Sequence, residues 1–137
     1  MNGKLLVITA KYLAPVITAF SLYILFRGHN APGGGFAGGL TVAVAFSLIL
    51  MALGKERTRA LIPFDARSLI GAGLLLALFS SLSSVIAGGE FLKGKWIEID
   101  VCHGCPLYLG TPILFDVGVY LVVTGVLMII LFSLTED

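Results

Sequence analysis

Among the ionisable residues inside or beside long apolar stretches of the sequence, three are candidates for an ion path: Arg27, His29 and Asp116. Residues of this kind are costly in a bilayer and often mark an ion or proton path. An arginine or a histidine beside Asp116 would keep that acid ionised through its opposite charge. The sequence therefore predicts that the three residues form a polar cluster or part of an ion path. The alternative for Asp116 is a structural acid near its own helix N-terminus, favoured by the helix dipole.

A second candidate site is a C-x-x-C motif, in which Cys102 and Cys105 flank His103 and Gly104. A disulfide is the first interpretation if this loop faces an oxidising compartment, and free thiols are the second. A metal site ranks third, because structural zinc takes four ligands and His29 is the other histidine of the chain. The residue order does not fit a haem attachment motif, and two cysteines do not make a typical iron–sulfur site. We therefore predict neither a metal nor a cofactor.

A glycine-rich segment separates the first two apolar stretches, and its small residues suit close packing of helices. Gly34 with Gly38, and Gly35 with Gly39, form small-xxx-small pairs that let another helix approach closely in lipid. The segment also contains G-x-G-x-x-G, but a dinucleotide site requires a strand before that motif. We predict a rigid, helix-packed turn that includes Pro32, Gly33, Gly34, Gly35, Gly38 and Gly39.

The elements that must position these residues are apolar blocks, in a chain that is 58% hydrophobic and 12% charged. Soluble domains carry about 25% charged residues. Four blocks, residues 5–26, 36–53, 68–87 and 113–134, approach the roughly 20 residues that a membrane helix needs. Their pattern does not alternate as in a barrel strand, and lipid requires backbone groups to be paired internally. The sequence predicts an all-α integral membrane protein with four transmembrane helices, residues 1–137 forming one domain.

The loop charges predict how the helices are oriented. Lys55, Arg57, Arg59 and Arg67 fall in the second loop, whereas the first loop holds Arg27 and the third holds Lys93 and Lys95. Because short cytoplasmic loops are enriched in lysine and arginine, we expect the N-terminus, the second loop and the C-terminus on the cytoplasmic side. A net charge of +1 indicates no role in binding nucleic acid.

Three segments resemble the B subunit of Mrp-type multisubunit cation/proton antiporters, also called Mnh or Sha. They are residues 27–40 (RGHNAPGGGFAGGL), 110–123 (GTPILFDVGVYLVV) and 96–99 (WIEI). The resemblance implies a small subunit in a prokaryotic plasma membrane. Its partners would be the lipid bilayer and the other membrane subunits of a complex that exchanges sodium for protons. Related subunits in membrane-bound energy-converting hydrogenases or sulfur-reducing complexes are the alternative. The two cysteines depart from the family pattern.

The sequence favours a supporting subunit over an independent transporter or an enzyme. Transporters commonly contain internal repeats with broken helices in matching positions, and the two halves of this chain do not repeat. No nucleophile elbow accompanies its serine, histidine and aspartate residues. Small residues suit close contact between neighbours, for example Ala43, Ala45, Gly71, Gly73, Gly118 and Gly125.

Overall fold

The protein is described from a computed structural model, in which residues 3–28, 33–86, 96–102 and 105–135 are defined. In chain order the elements are α1 (Gly3–Arg27), α2 (Gly35–Leu53), α3 (Lys55–Leu61), α4 (Ala66–Ile86), β1 (Trp96–Cys102), β2 (Cys105–Gly110) and α5 (Thr111–Leu134). In this part of the chain, α1, α2, α4 and α5 are long and apolar enough to cross a membrane. The predicted four-helix membrane architecture is confirmed.

The helices begin and end within two residues of the predicted apolar blocks, and local signals explain several of these boundaries. The N–H of Gly54, at φ +79°, donates to the carbonyl of Leu50 and ends α2. Pro112 lies in the first turn of α5. A backbone N–H at this position has no acceptor within the helix, so its absence in proline costs no hydrogen bond. Pro15 lies inside α1, so the first span continues past a residue that would end most soluble helices.

The four long helices pack in the spatial order α1, α2, α5, α4. Glycines permit a close approach between α4 and α5. A Cβ on Gly125 of α5 would lie 2.8 Å from the carbonyl oxygen of Ala66, and one on Gly73 of α4 would lie 2.6 Å from that of Gly118. Small residues at such positions let helix backbones approach in lipid. Gly71 differs, since a Cβ there would meet nothing within 4 Å.

The outer surface of the bundle is strongly apolar. Large side chains such as Tyr12, Phe20, Leu75 and Phe79 are exposed, while small residues such as Ala14 are buried. A soluble monomer rarely exposes apolar surface on this scale. The arrangement instead suits a bundle whose outside faces acyl chains or other membrane helices.

Two loops contain secondary structure that the sequence analysis did not predict. The basic second loop includes the short helix α3, and the third loop includes an antiparallel hairpin of β1 and β2. The hairpin register pairs Trp96 with Gly110 at its base and Cys102 with Cys105 at its tip. Gly110 is also the N-cap of α5, so the hairpin leads directly into the last membrane helix.

Candidate functional site

The glycine turn folds back onto the last turn of α1. The N–H of Gly34 donates to the carbonyl of Ile24 at 3.1 Å, and the N–H of Gly38 donates to the carbonyl of Gly34 at 3.0 Å as α2 begins. Gly34 has φ +94°, a conformation that glycine adopts without steric cost. A Cβ at Gly28 would collide with the backbone of Gly34. The chain can therefore reverse direction here within a few residues.

The glycines at the start of α2 face α5 as well as α1. A Cβ on Gly35 would collide with the carbonyl oxygen of Asp116, and one on Gly39 would lie 2.8 Å from the side chain of Val123. A Cβ on Gly38 would lie 3.0 Å from the carbonyl oxygen of Ser21 and 3.1 Å from the ring of Tyr120. The turn is thus the meeting point of three helices, which we term the α1–α2–α5 junction.

Asp116 lies in the second turn of α5 and is half-buried against the glycine turn. A Cβ on Gly34 would lie 3.3 Å from the Oδ2 atom of Asp116, which places the carboxylate beside the first residues of α2. The first N–H groups of a helix have no intrahelical acceptor and carry partial positive charge. The carboxylate therefore lies beside the N-terminus of α2, whereas its own helix begins five residues earlier, at Thr111.

A buried hydroxyl pair joins α1 to α5 within the same junction. The Oγ atom of Ser21, which is fully buried, lies 3.0 Å from the Oη atom of Tyr120. The Ser21 hydroxyl donates its proton to the carbonyl of Thr18 at 2.7 Å, so Tyr120 is the donor to Ser21. Sequence reasoning missed Tyr120, although a phenol within an apolar helix signals a need for a partner.

Most of the other membrane hydroxyls bond within their own helix. Among six serine and threonine residues of α1, α2 and α5, Ser21 is the one whose hydroxyl meets another helix. The remainder donate to carbonyls three or four residues earlier: Thr9, Thr18, Thr41, Ser47 and Thr124. Ser80 of α4, buried and not predicted, donates to the carbonyl of Thr111 at 2.6 Å and links α4 to α5.

The structure describes two of the three residues of the predicted polar cluster, Arg27 and Asp116. Arg27 is the last residue of α1, is exposed, and holds its guanidinium carbon 6.0 Å from the centre of the Tyr23 ring, the outer limit of a cation–π contact. Its charge also suits a helix C-terminus. His29 and Pro32 lie outside the described residues. The structure brings Asp116 to the turn that follows Arg27, and the full cluster stays a prediction.

The backbone of the hairpin places Cys102 and Cys105 directly opposite each other. Their side chains, together with His103 and Gly104, lie outside the described residues. The disulfide therefore also stays a prediction. In the defined part of the chain, no three histidine, cysteine, aspartate or glutamate residues are grouped as metal ligands would be.

The fold and the junction define a small helical integral membrane protein that presents an apolar surface. A family model described as "Domain related to MnhB subunit of Na+/H+ antiporter" matches residues 5–129. The chain therefore belongs to this MnhB-related family, and the resemblance seen in its sequence motifs is confirmed.

Similarity to individual proteins extends over nearly the whole chain. It is 36% identical to the B subunit of the Na(+)/H(+) antiporter of Alkalihalophilus pseudofirmus, covering 99% of this chain and 94% of that protein. The corresponding protein of Bacillus subtilis is 37% identical, with 99% and 95% covered. A solved structure of the Mrp complex from Dietzia sp. contains a chain that matches with a TM-score of 0.85 and 34% identity. The match covers 99% of this chain and 14% of that longer chain.

Proposed function

We propose that this protein is a membrane subunit of an Mrp-type multisubunit sodium/proton antiporter, where it supports assembly and ion exchange. Full-length similarity to the B subunits of two antiporters carries the proposal, and the match to a chain of an Mrp complex supports the same assembly. These relatives favour the antiporter over the hydrogenase or sulfur-reducing alternative. On this proposal the chain is a transporter component with no catalytic chemistry of its own.

The charged residues of the long helices support a role for this chain beside the ion path, since they do not form a complete path themselves. Asp116 is the one carboxylate within the four long helices. A proton relay across a bilayer uses a series of ionisable groups. One carboxylate at one end of a helix does not supply such a series. Other subunits would hold the remaining groups, while this chain contributes Asp116 at the α1–α2–α5 junction.

The proposed orientation places this junction at the outer face of the membrane. The basic residues of α3 and of the start of α4, including Arg57, Arg59 and Arg67, lie at the opposite end of the bundle. The excess of lysine and arginine in cytoplasmic loops assigns that end, together with both termini, to the cytoplasm. A cysteine introduced at position 57 should then resist an impermeant thiol reagent in intact cells, and its labelling from outside would reverse the orientation.

Purification in mild detergent tests the parent assembly. The tagged chain should recover antiporter-type membrane subunits, and vesicles that lack it should lose sodium-dependent dissipation of a pH gradient. Restoring the wild-type chain is the matched control, since it separates this loss from a failure to express the partners. Recovery of a nickel–iron subunit in place of the antiporter subunits would contradict the proposal.

A further inference from the structure

A groove opens at the end of the bundle opposite the α1–α2–α5 junction. It lies between α3, the segment that precedes α4, and the last turns of α5, and it encloses about 540 Å³. Sites for small molecules commonly span about 300–1,000 Å³. Because α2 ends at Leu53, α4 begins at Ala66 and α5 ends at Leu134, the groove lies where the membrane helices meet the polar surface.

The charged lining of the groove is predominantly cationic. Lys55, Arg59 and Arg67 line it together with one carboxylate, that of Asp65. The Oδ1 atom of Asp65 accepts the N–H of Arg67 at 3.3 Å, so this carboxylate caps the first turn of α4. Even without Lys55, two arginines against one carboxylate give the lining a net positive charge, which favours an anionic occupant.

The two cations of α3 are held on one face of a tethered helix. Lys55 and Arg59 are four residues apart, which places them on the same side of α3. Thr58 is buried, and its hydroxyl donates to the carbonyl of Gly54 at 2.8 Å. The N–H of Thr58 donates to the same carbonyl at 3.1 Å. Gly54 is both the C-cap of α2 and the N-cap of α3, and the Thr58 hydroxyl lies 3.5 Å from the carbonyl oxygen of Ile49 in α2. Both cationic side chains therefore start from a backbone that continues directly from α2.

The remaining wall is apolar and open. Phe64, Ile129 and Phe132 line the groove, and the first two are 48% and 39% exposed. A free phosphate ion would use the cations and leave this apolar wall in water. An amphiphile satisfies both parts, because its anionic headgroup meets the cations while its acyl chain covers the apolar wall.

We propose that this groove binds an anionic phospholipid, with the phosphodiester held by Arg59 and Arg67 and the first part of an acyl chain lying against Phe64 and Phe132. Arginine suits this position because its planar donors match two phosphate oxygens at once. Bound lipid would join α3, α4 and α5 at their shared end. This inference concerns lipid binding alone and does not depend on which ions the complex exchanges.

The test uses the assembled complex in nanodiscs that contain phosphatidylglycerol and phosphatidylcholine, with retained lipid counted by native mass spectrometry. The wild-type complex should retain phosphatidylglycerol preferentially. Arg59→Gln and Arg67→Gln should each weaken retention roughly fivefold, as expected from about 1 kcal/mol for each cation near an anionic lipid. Arg57→Gln is the matched control, because Arg57 is exposed on the same short helix but does not line the groove.

Several outcomes would overturn the inference. An equal loss in Arg57→Gln would assign the effect to overall charge, and displacement of the lipid by inorganic phosphate would assign the site to a free anion. If the variants fail to assemble, crosslinking of photoreactive phosphatidylglycerol to the wild-type complex tests the site instead. Crosslinks to Phe64 or Phe132 support the site. Crosslinks of the lipid confined to other positions reject the site. A protein crosslink that joins the groove to an acidic segment of a partner subunit rejects it as well.

Discussion

Gly73 of α4 and Gly118 of α5 face each other with no room for a side chain on either. A Cβ on Gly73 would lie 2.6 Å from the Gly118 carbonyl oxygen, and a Cβ on Gly118 would lie 2.7 Å from the Gly73 carbonyl oxygen. The relationship is therefore reciprocal. It sets the spacing of α4 and α5, which also carry the Ser80–Thr111 hydrogen bond.

We expect Gly118→Leu to separate α4 from α5 and to lower the yield of assembled complex. Inserting a side chain into a packed interface typically costs about 1–3 kcal/mol and sometimes more. Thermal aggregation of the purified complex would measure the loss. Gly71→Leu is the matched control, since a Cβ at Gly71 meets nothing within 4 Å. Equal stability of the two variants would contradict the packing argument.

A similar test applies to the glycine turn. Gly35→Leu should be the more damaging change, because a Cβ at Gly35 collides with the backbone carbonyl of Asp116. Gly38→Leu should be milder, because its close contacts include the ring of Tyr120, a side chain that can adjust. Recovery of partner subunits with each variant provides the measurement. Normal assembly and transport by both variants would show that the turn tolerates bulk.

The long helices were predictable from the sequence because a bilayer imposes length and apolar composition on each span. The hairpin was not predicted, although Ile97 and Ile99 alternate with Glu98 and Asp100, the period-two pattern of a strand. The packing of Asp116 against Gly34 could not be predicted from the sequence either. Gly34 is the N-cap of α2 and Asp116 belongs to α5, which are far apart in the chain, and neither helix has a polar stripe that would fix its rotation.

The hydroxyl pair of the junction predicts unequal effects of two conservative changes. Tyr120→Phe leaves Ser21 bonded to the carbonyl of Thr18, whereas Ser21→Ala removes the acceptor of the Tyr120 phenol. An unsatisfied buried polar group costs about 1–3 kcal/mol. Ser21→Ala should therefore lower the melting temperature of the complex more than Tyr120→Phe. The reverse order would mean that Tyr120 donates elsewhere.

The register of the hairpin supports the predicted disulfide between Cys102 and Cys105. Paired Cα atoms of antiparallel strands lie about 4.5–5.5 Å apart, within the range of about 4.4–6.8 Å that a disulfide spans. Formation would release two protons and pass two electrons to a disulfide-bearing oxidant in the compartment that the hairpin faces. Intact mass should rise by two hydrogens on reduction. Alkylation of both thiols in unreduced protein would reject the bond, and stoichiometric zinc would support a metal site instead.

The position of Asp116 allows its charge to be separated from its packing. Asp116→Asn keeps the size of the side chain and an oxygen that can still accept a hydrogen bond beside the N-terminus of α2. If Asp116 serves the ion path, this variant should assemble normally, exchange sodium for protons more slowly and show an altered pH dependence. Glu56→Gln removes a charge from the exposed surface of α3 and is the control for general electrostatic effects.

Asp116→Leu completes the comparison, because it removes both the charge and the hydrogen-bonding oxygen beside Gly34. We expect this variant to impair assembly, since the first N–H groups of α2 would face an apolar side chain. Failure of Asp116→Asn to assemble would assign Asp116 a structural role, in which its charge stabilises the α1–α2–α5 junction. If Asp116→Asn instead assembles and exchanges ions with an unchanged rate and pH dependence, the carboxylate has no part in the ion path. The scaffold function of the chain would then remain.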